Sequence, residues 1–373
     1  MNKTAVIYTP YATNQPGAAG MRAHYLKEAL QSNGFTVHIL TPAQEKGIGL
    51  ALKIKSIRPA LVLATSPPLP PLLNVFIGTR LVGARFILDA KDDGRFFEIE
   101  EKRNRSIKEE LFRVVRKIIY RSSDFIWFLT RSDQAIECKR YDIPLEKTAC
   151  VPNGVDRRLV FDASFRNQLR KEWKVSTTAR IAVYAGSLGD EDLTGLLASF
   201  EPMRKAKHGL IMVVTADHSA AEAERVERLK QQVENLSSFS FKRVFVNLPI
   251  DEMQKILSAC DVGIVPWSDH LPTSLPVKTF DYSAAGLPMV IKGPHRQPNE
   301  LELFAAQNKG WAIFTSDWKM FQRALAALLL KKKTNAERSQ RAADAYHQWD
   351  RQKIMKGAIE QLEDRFHGTR SQE

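Results

Sequence analysis

The segment 262-VGIVPWSDHLPTSLPVKTFDYSAAGLPMVIKGP-294 determines the predicted fold, because it places a helix between two apolar strands. Val262–Val265 is apolar and ends at a proline, and Met289–Ile291 is apolar and ends before a Gly-Pro pair. Lys278–Ala285, between them, reads as a helix. Apolar strands without polar alternation belong to sheets that are covered on both faces, and a helix is the usual connection between parallel strands. The segment therefore predicts a parallel β-α-β unit.

The same alternation of strands and helices extends outward over both halves of the chain. In the second half, strands are predicted at Arg180–Tyr184, Leu210–Val214 and Ser240–Val246, and helices at Asp192–Phe200, Ala220–Asn235 and Ile250–Ala259. In the first half, strands are predicted at Lys3–Tyr8, Thr36–Leu40, Ala60–Ala64, Arg85–Leu88 and Ile126–Leu129, with a helix at Met21–Ser32. Two such series predict an α/β protein with two Rossmann-like, doubly wound parallel-sheet domains facing a cleft.

The length and composition suit two globular domains. The chain has 373 residues, of which 44% are hydrophobic and 26% are charged. A polar, charged stretch at Gly154–Thr178 is the predicted boundary. We expect an N-terminal domain at 1–160, joined by a C-terminal helix at 350–373, and a second domain at 175–349.

The basic charge balance limits the partners without identifying one. A net charge of +13 attracts the phosphates of nucleic acid, anionic lipid or a nucleotide sugar. Zinc-finger spacing, RNP aromatics and a basic region with heptads are all missing from the sequence, so no nucleic acid is expected. Three scattered cysteines favour a reducing compartment and no metal site. The N-terminus has no signal-peptide pattern and the most apolar stretch, Ala60–Leu88, is broken by prolines and arginines, so we expect a cytoplasmic protein without a membrane span.

Two loops at predicted strand ends carry residues that suit a binding or catalytic site. The loop before the first helix contains Gly17 and Gly20, which can let the backbone approach an anion or can serve only the turn. After the strand Arg85–Leu88, Asp92 is predicted to orient a hydroxyl or act as a base. Asp93 beside it is expected in a solvated loop.

Four motifs occur in an order that is similar to one enzyme family. They are Pro152–Asp156 (PNGVD), Val183–Gly189 (VYAGSLG), Ala259–Pro266 (ACDVGIVP) and Pro276–Pro288 (PVKTFDYSAAGLP). In sequence these motifs resemble the GT-4-like group of GT-B glycosyltransferases, and in particular bacterial enzymes that build cell-surface polysaccharides. The resemblance spans nearly the whole chain.

The resemblance implies retaining transfer from a UDP- or GDP-type nucleotide sugar to a glycan or lipid-linked acceptor, with no cofactor and no required metal. The second domain would bind the donor and the first the acceptor. Lys278 would stabilise the leaving diphosphate, and Asp281, matching the second glutamate of the family's E-x7-E pattern, would contact the ribose. With Asp92 these are the predicted catalytic residues. The donor is expected to contact Gly17, Gly20, Gly186, Ser187, His270, Thr273, Lys278 and Asp281.

Three residues depart from the family's pattern at the donor site. Thr273 occupies the position of the first glutamate, and Ser187 and Asp192 occupy those of an Arg/Lys pair that usually binds phosphate. Either Lys278 binds the phosphates with Ser187 and loop amides, or the site is weakened. The missing pair leaves open a catalytically weakened homologue that acts as a binding protein. A sugar-nucleotide 2-epimerase is a second alternative, because such epimerases share the two-domain fold.

The stretch Lys102–Arg121 is predicted to form an amphipathic helix. Its apolar residues recur at helical spacing and are expected to pack on the sheet, at Ile107, Leu111, Val114, Val115, Ile118 and Ile119. Its basic residues are expected to face an anionic membrane or the acceptor, at Arg103, Arg105, Arg113, Arg116 and Lys117. The helix would hold the protein peripherally at the inner face of the plasma membrane.

Overall fold

The chain packs as two compact units in the computed structural model. The structure describes residues 3–10, 18–42, 47–66, 69–91, 107–188, 192–201, 206–216, 219–268, 275–294 and 299–368, and at 18, 19, 108, 109, 206, 207, 367 and 368 only the backbone. One unit comprises Met1–Asn153 and Arg351–Glu373, and the other Gly154–Asp350. Within the described residues each unit has a six-stranded, wholly parallel sheet with flanking helices, which confirms the predicted α/β class.

The first unit alternates strands and helices up to Cys150. The strands are β1 (Thr4–Tyr8), β2 (Thr36–Leu40), β3 (Leu61–Ser66), β4 (Arg85–Ala90), β5 (Phe125–Phe128) and β6 (Thr148–Cys150). The helices are α1 (Ala18–Ser32), α2 (Ile48–Ile57), α3 (Leu69–Leu81), α4 (Ile107–Ser122) and α5 (Arg131–Tyr141). The strands lie in the order β2-β1-β3-β4-β5-β6. Helices α2, α3, α4 and α5 contribute to one hydrophobic cluster, and α1 to the cluster on the opposite face.

The second unit repeats the architecture with another strand order. Its strands are β7 (Ile181–Ser187), β8 (Ala206–Thr215), β9 (Phe239–Val246), β10 (Val262–Pro266), β11 (Met289–Lys292) and β12 (Ala312–Thr315). Its helices are α6 (Ala163–Glu172), α7 (Leu193–Phe200), α8 (Ala220–Asn235), α9 (Ile250–Ala259), α10 (Val277–Ala284), α11 (Glu300–Gln307), α12 (Trp318–Leu330) and α13 (Asn335–Trp349). The order β12-β11-β10-β7-β8-β9 puts β7 at the centre of the sheet.

The last helix, α14 (Arg351–Gly368), returns to the first unit. Met355, Ile359 and Leu362 of this helix are buried with α1 residues in one hydrophobic cluster. Arg351 at its start is also buried and donates to the carbonyl oxygen of Asn153 at 2.6 Å. The helix therefore completes the core of a unit whose other elements lie some two hundred residues earlier.

Candidate functional site

The strand order of the second unit identifies the position where sheets of this kind bind ligands. From β7 the chain adds β8 and β9 on one side, and then β10, β11 and β12 on the other. The direction in which successive strands are added to the sheet reverses between β7 and β10. The carboxyl ends of these two strands are Ser187 and Pro266. Open α/β sheets bind ligands outside the carboxyl ends of strands at such a switch point. The carboxyl end of the sheet, next to β7 and β10, is therefore the candidate site.

Tyr282 of α10 joins the two strands at the switch point. Its buried hydroxyl accepts a hydrogen bond from the Ala185 N–H at 2.8 Å and can donate to the carbonyl oxygens of Ile264, at 3.1 Å, or Val183, at 3.2 Å. Gly263 leaves room for the ring, since a Cβ at that position would lie 2.7 Å from the Cγ of Tyr282. Tyr282 thus fixes α10 against β7 and β10.

Lys278 lies one helical turn before Tyr282, on the same face of α10. It is buried, with 5% of its surface exposed, and its ammonium lies 4.5 Å from the centre of the Tyr184 ring in β7. The Tyr184 hydroxyl in turn donates to the carbonyl oxygen of Ser187 at 2.7 Å. Because an aromatic face attracts a cation, this ring holds the ammonium near the end of β7.

The start of α10 adds to the positive potential around Lys278. The helix follows Pro276, which makes no side-chain cap, and its dipole places partial positive charge at this end. A lysine in the first turn adds to that charge instead of compensating it. The two together attract an anion such as a diphosphate. Asp281, half-buried, follows Lys278 by one turn.

A second buried lysine, which the sequence reasoning missed, ends the neighbouring strand β11. The Lys292 ammonium lies 5.6 Å from the centre of the Trp318 ring. The backbone carbonyl oxygen of Lys292 accepts a hydrogen bond from the Trp267 N–H at 2.8 Å. All strands of this sheet are parallel, so Lys292 lies at the same edge as Ser187. The available signal was a lysine between an apolar strand and a Gly-Pro turn.

Asp192, which stands where the family's pattern has a lysine, caps a helix at this edge. Its Oδ1 accepts from the Gly195 N–H at 2.8 Å, and its own N–H donates to the carbonyl oxygen of Pro266 at 3.2 Å. A side-chain cap of this type stabilises the first turn of the helix. Asp192 therefore holds α7 next to the end of β10.

The structure brings together only some of the predicted site residues. In the second unit it describes Gly186, Ser187, Lys278 and Asp281, the first two as the last residues of β7. Gly20 is buried near the start of α1 in the first unit. The predicted site residues that lie outside the described residues are Gly17, Asp92, Arg103, Arg105, His270 and Thr273.

A buried charged cluster lies at the carboxyl end of β4 in the first unit. The Arg22 guanidinium donates to both carboxylate oxygens of Asp89 at 2.8 to 3.1 Å, and the Lys91 ammonium lies 3.7 Å from Asp89 Oδ2. Arg22 also donates to the carbonyl oxygen of Pro152 at 3.2 Å. Burial alone would raise the pKa of Asp89, but the charges and hydrogen bonds of Arg22 and Lys91 outweigh it and lower that pKa. The cluster fixes the strand end that leads to Asp92.

The orientation of α4 corrects the prediction for this helix. Arg116 is buried, so the prediction that it faces a membrane is wrong. The predicted core-facing stripe is divided, because Val115 and Ile119 pack on the core whereas four other members are exposed, namely Ile107, Leu111, Val114 and Ile118. Arg113 and Lys117 are exposed.

Two general features of the described residues bear on partners. None of the helices they form is both long enough and apolar enough to cross a membrane. Among the same residues, no group of three or more His, Cys, Asp or Glu side chains is arranged to hold a metal ion.

Solved structures that are similar to the chain over almost its whole length are glycosyltransferases. Sucrose-phosphate synthase of Thermosynechococcus elongatus superposes with a TM-score of 0.73 at 14% identity, covering 98% of this chain and 100% of its own. HepE of Anabaena, in complex with UDP and glucose, gives 0.69 at 14% identity, covering 97% and 100%. WaaG, a glycosyltransferase involved in lipopolysaccharide biosynthesis, gives 0.69 at 13% identity, covering 95% and 98%.

No protein-family model and no curated protein sequence matches the chain. The similarity to the solved structures shows the fold. The chain has the GT-B fold, as its four sequence motifs predicted.

Proposed function

We propose that this GT-B protein is a retaining glycosyltransferase, which moves a sugar from a UDP- or GDP-type nucleotide sugar to a glycan or lipid-linked acceptor. The product would belong to a cell-surface polysaccharide such as O-antigen, capsule or exopolysaccharide. The protein would act in the cytoplasm, peripherally at the inner face of the plasma membrane. The observation that carries the proposal is the buried ammonium of Lys278 at the switch point of the second sheet.

The second unit would bind the donor, because its switch point combines positive charge with rigid support. As the bond between sugar and diphosphate breaks, negative charge develops on the departing phosphate oxygens. The Lys278 ammonium and the N-terminus of α10 stabilise that charge, and positive groups that are already in place do so without reorganisation. Tyr184 holds the Lys278 ammonium in place, and Tyr282 holds helix α10 against β7. This chemistry requires no metal ion and no cofactor from the protein.

Lys292 is the proposed second cation of the phosphate site, in place of the family's Arg/Lys pair. Ser187 and Asp192 cannot supply the cations of the family's Arg/Lys pair, and Asp192 is engaged as a helix cap. Lys292 offers a second buried cation on the adjoining strand end, so that Lys278 and Lys292 together replace the pair. Asp281, His270 and Thr273 remain the proposed contacts to the ribose and the sugar. Gly186 and Ser187 would contact the donor through their backbone.

The first unit would receive the acceptor. Asp92 is the proposed base or hydroxyl-orienting group, and the ion pair of Arg22 with Asp89 holds the strand end immediately before it. Gly17 and Gly20 would let the backbone approach the donor phosphates. HepE, which has the same fold, binds UDP-glucose, in keeping with a uridine nucleotide as the donor.

The proposal is tested with a panel of UDP- and GDP-sugars, measured by isothermal calorimetry and by release of free nucleotide. For the sugar that binds, Lys278→Ala is expected to raise the Kd about 10- to 100-fold, since a buried charge-assisted contact is lost. The matched control is Lys309→Ala, which removes an exposed lysine of the same unit and should leave the Kd unchanged. The anomeric configuration of the product, read by NMR, tests retention.

Three outcomes contradict the proposal in different ways. Interconversion of the sugar nucleotide without transfer identifies the 2-epimerase. Binding without nucleotide release or transfer identifies a weakened homologue. An unchanged Kd for Lys278→Ala removes Lys278 from the site.

A further inference from the structure

We propose that α4 lies in the surface of an anionic membrane and inserts a stripe of four apolar side chains among the lipids. This inference rests on the membrane-associated acceptor of the proposed function, and it assigns the contact to a particular surface. The stripe consists of Ile107, Leu111, Val114 and Ile118, which are 92%, 59%, 47% and 53% exposed.

The stripe is continuous along one side of α4. Its members follow each other at intervals of four, three and four residues, and at about 100° per residue they fall within about 60° of one another. The opposite side of the helix packs into the first unit's core through Ile119 and Tyr120, with Phe112 and Val115 partly buried against it. The fold therefore holds α4 with the stripe directed away from the core that the described residues form.

A row of cations runs along one flank of the stripe. Arg113, Lys117 and Arg121 are exposed and succeed one another at intervals of four residues. The sequence from Lys102 to Arg121 carries eight cations and two carboxylates. A helix with an apolar side next to a basic side binds in the plane of a membrane interface, where the apolar side enters the lipid and the cations meet anionic headgroups.

The neighbouring helices of the same layer also carry exposed apolar residues. Helix α3 packs against both α2 and α4 on the same face of the sheet. Its Ile77 and Leu81 are exposed, as are Ile48 and Leu52 of α2. Adjacent helices of one layer thus carry exposed large apolar residues, and such concentrations mark interaction sites.

The charges decide between a membrane and a second copy of the chain. Two copies that met through α4 would bring their cationic rows together, and like charges at an interface oppose association. An anionic bilayer neutralises the same row. The complementary charge therefore selects anionic lipid as the occupant.

The test measures co-sedimentation of the full-length protein with vesicles of phosphatidylcholine alone and of phosphatidylcholine with phosphatidylglycerol. Leu111→Ser and Ile118→Ser are each expected to lower the partition coefficient about tenfold on the mixed vesicles. The matched controls are Leu303→Ser and Leu330→Ser, exposed leucines of the second unit that should bind as wild type does. Lys117→Gln with Arg121→Gln should reduce binding to the mixed vesicles only, and should weaken its dependence on salt.

Hydrogen exchange provides a second measurement, in which vesicles should protect Ile107–Ser122. Without vesicles, unchanged exchange protection of β3 and β4 in the serine variants shows that the first unit still folds, and unchanged nucleotide-sugar binding shows that the second unit is intact. Wild-type vesicle binding by both stripe variants overturns the inference. So does a wild-type dimer that the stripe variants convert to monomers, which would assign the surface to a second copy. Vesicle binding without any donor binding refutes the proposed function and leaves this inference standing.

Discussion

At the scale of single residues, the hydroxyl of Tyr282 is expected to be needed for both stability and donor binding. In Tyr282→Phe the buried N–H of Ala185 loses its acceptor, which should cost about 1–3 kcal/mol of unfolding free energy. The freed helix α10 should also bind the nucleotide sugar more weakly. Urea titrations and calorimetry measure the two effects.

Tyr120→Phe is the matched control for this prediction. The Tyr120 hydroxyl is buried but has no hydrogen-bond partner among the described residues. Its removal should therefore leave the unfolding free energy unchanged or raise it, and donor binding should not change. Equal losses in the two variants would show that the hydroxyl of Tyr282 has no special role.

The ion pair of Asp89 with Arg22 should make the first unit sensitive to acid. Asp89→Asn leaves the guanidinium buried without its counter-charge, which is expected to cost about 3–5 kcal/mol at neutral pH. Because the folded-state pKa of Asp89 lies below its ordinary value of 3.8, the wild type has this stabilisation in full above 3.8. It loses the stabilisation as the pH falls through the lower folded-state pKa.

Urea titrations over a pH series check this dependence. The difference between wild type and Asp89→Asn should be largest at neutral pH and should shrink below the ordinary pKa. Asp142→Asn, at an exposed ion pair with Arg121, should change the unfolding free energy by about 1 kcal/mol or less at every pH. If the difference in unfolding free energy stays constant as the pH falls, the charge of Asp89 is not what stabilises the unit.

The motifs predicted Lys278 and Asp281, but not the surroundings that give Lys278 its chemistry. Its burial depends on Tyr184, which lies far away in sequence, so no local pattern reports the contact. Lys292 was missed for a related reason. It directly follows apolar strand residues, where a charge is as well explained by exposure to solvent as by a site.

At the scale of elements, the packing of α10 on β10 is expected to tolerate no side chain at Gly263. A Cβ there would overlap the Tyr282 ring, so Gly263→Ala must displace the helix that carries Lys278. We expect a loss of about 1–3 kcal/mol in unfolding free energy, as for other overpacked cores, together with weaker donor binding.

The same substitution at Gly357 should have the opposite sign. Gly357 lies inside α14, and a Cβ at this position meets no atom within 4 Å. Because alanine favours a helix over glycine, Gly357→Ala should raise the unfolding free energy by about 0.5–1 kcal/mol. Thermal or urea unfolding compares the two variants, and destabilisation by Gly357→Ala would contradict the open space around that position.

Helix α4 shows what periodicity leaves undecided about an element. Its sequence predicted a helix correctly, but apolar residues occur on two sides of it, and the pattern does not say which side meets the sheet. Packing places Ile119 and Tyr120 inside and admits Arg116 to the buried side. Most of the apolar residues that periodicity assigned to the core are therefore exposed.

At the scale of the whole molecule, the sequence predicted two α/β domains but not how their strands are ordered. Alternating strands and helices produce both β2-β1-β3 in the first sheet and β9-β8-β7-β10 in the second, because order depends on which side of the sheet each connection crosses. The short strands β6 and β12 were missed. The first unit ends at Asn153, directly before the stretch Gly154–Thr178 that was expected to hold the boundary, and the residues from Gly154 onward belong to the second unit.

The division into units predicts that a destabilising core substitution affects only the unit that contains it. Ile359 of α14 is buried in a cluster made of first-unit residues, and Leu325 of α12 in a cluster of the second unit. Either residue changed to alanine should cost about 2–5 kcal/mol, since a cavity replaces a buried side chain. Ile359→Ala should lower hydrogen-exchange protection in β1 and β3 and leave that of β7 unchanged, even though Ile359 follows the entire second unit in sequence. Leu325→Ala should lower protection in β7 and β8. Loss of protection around β7 in Ile359→Ala would mean that the two units unfold as one.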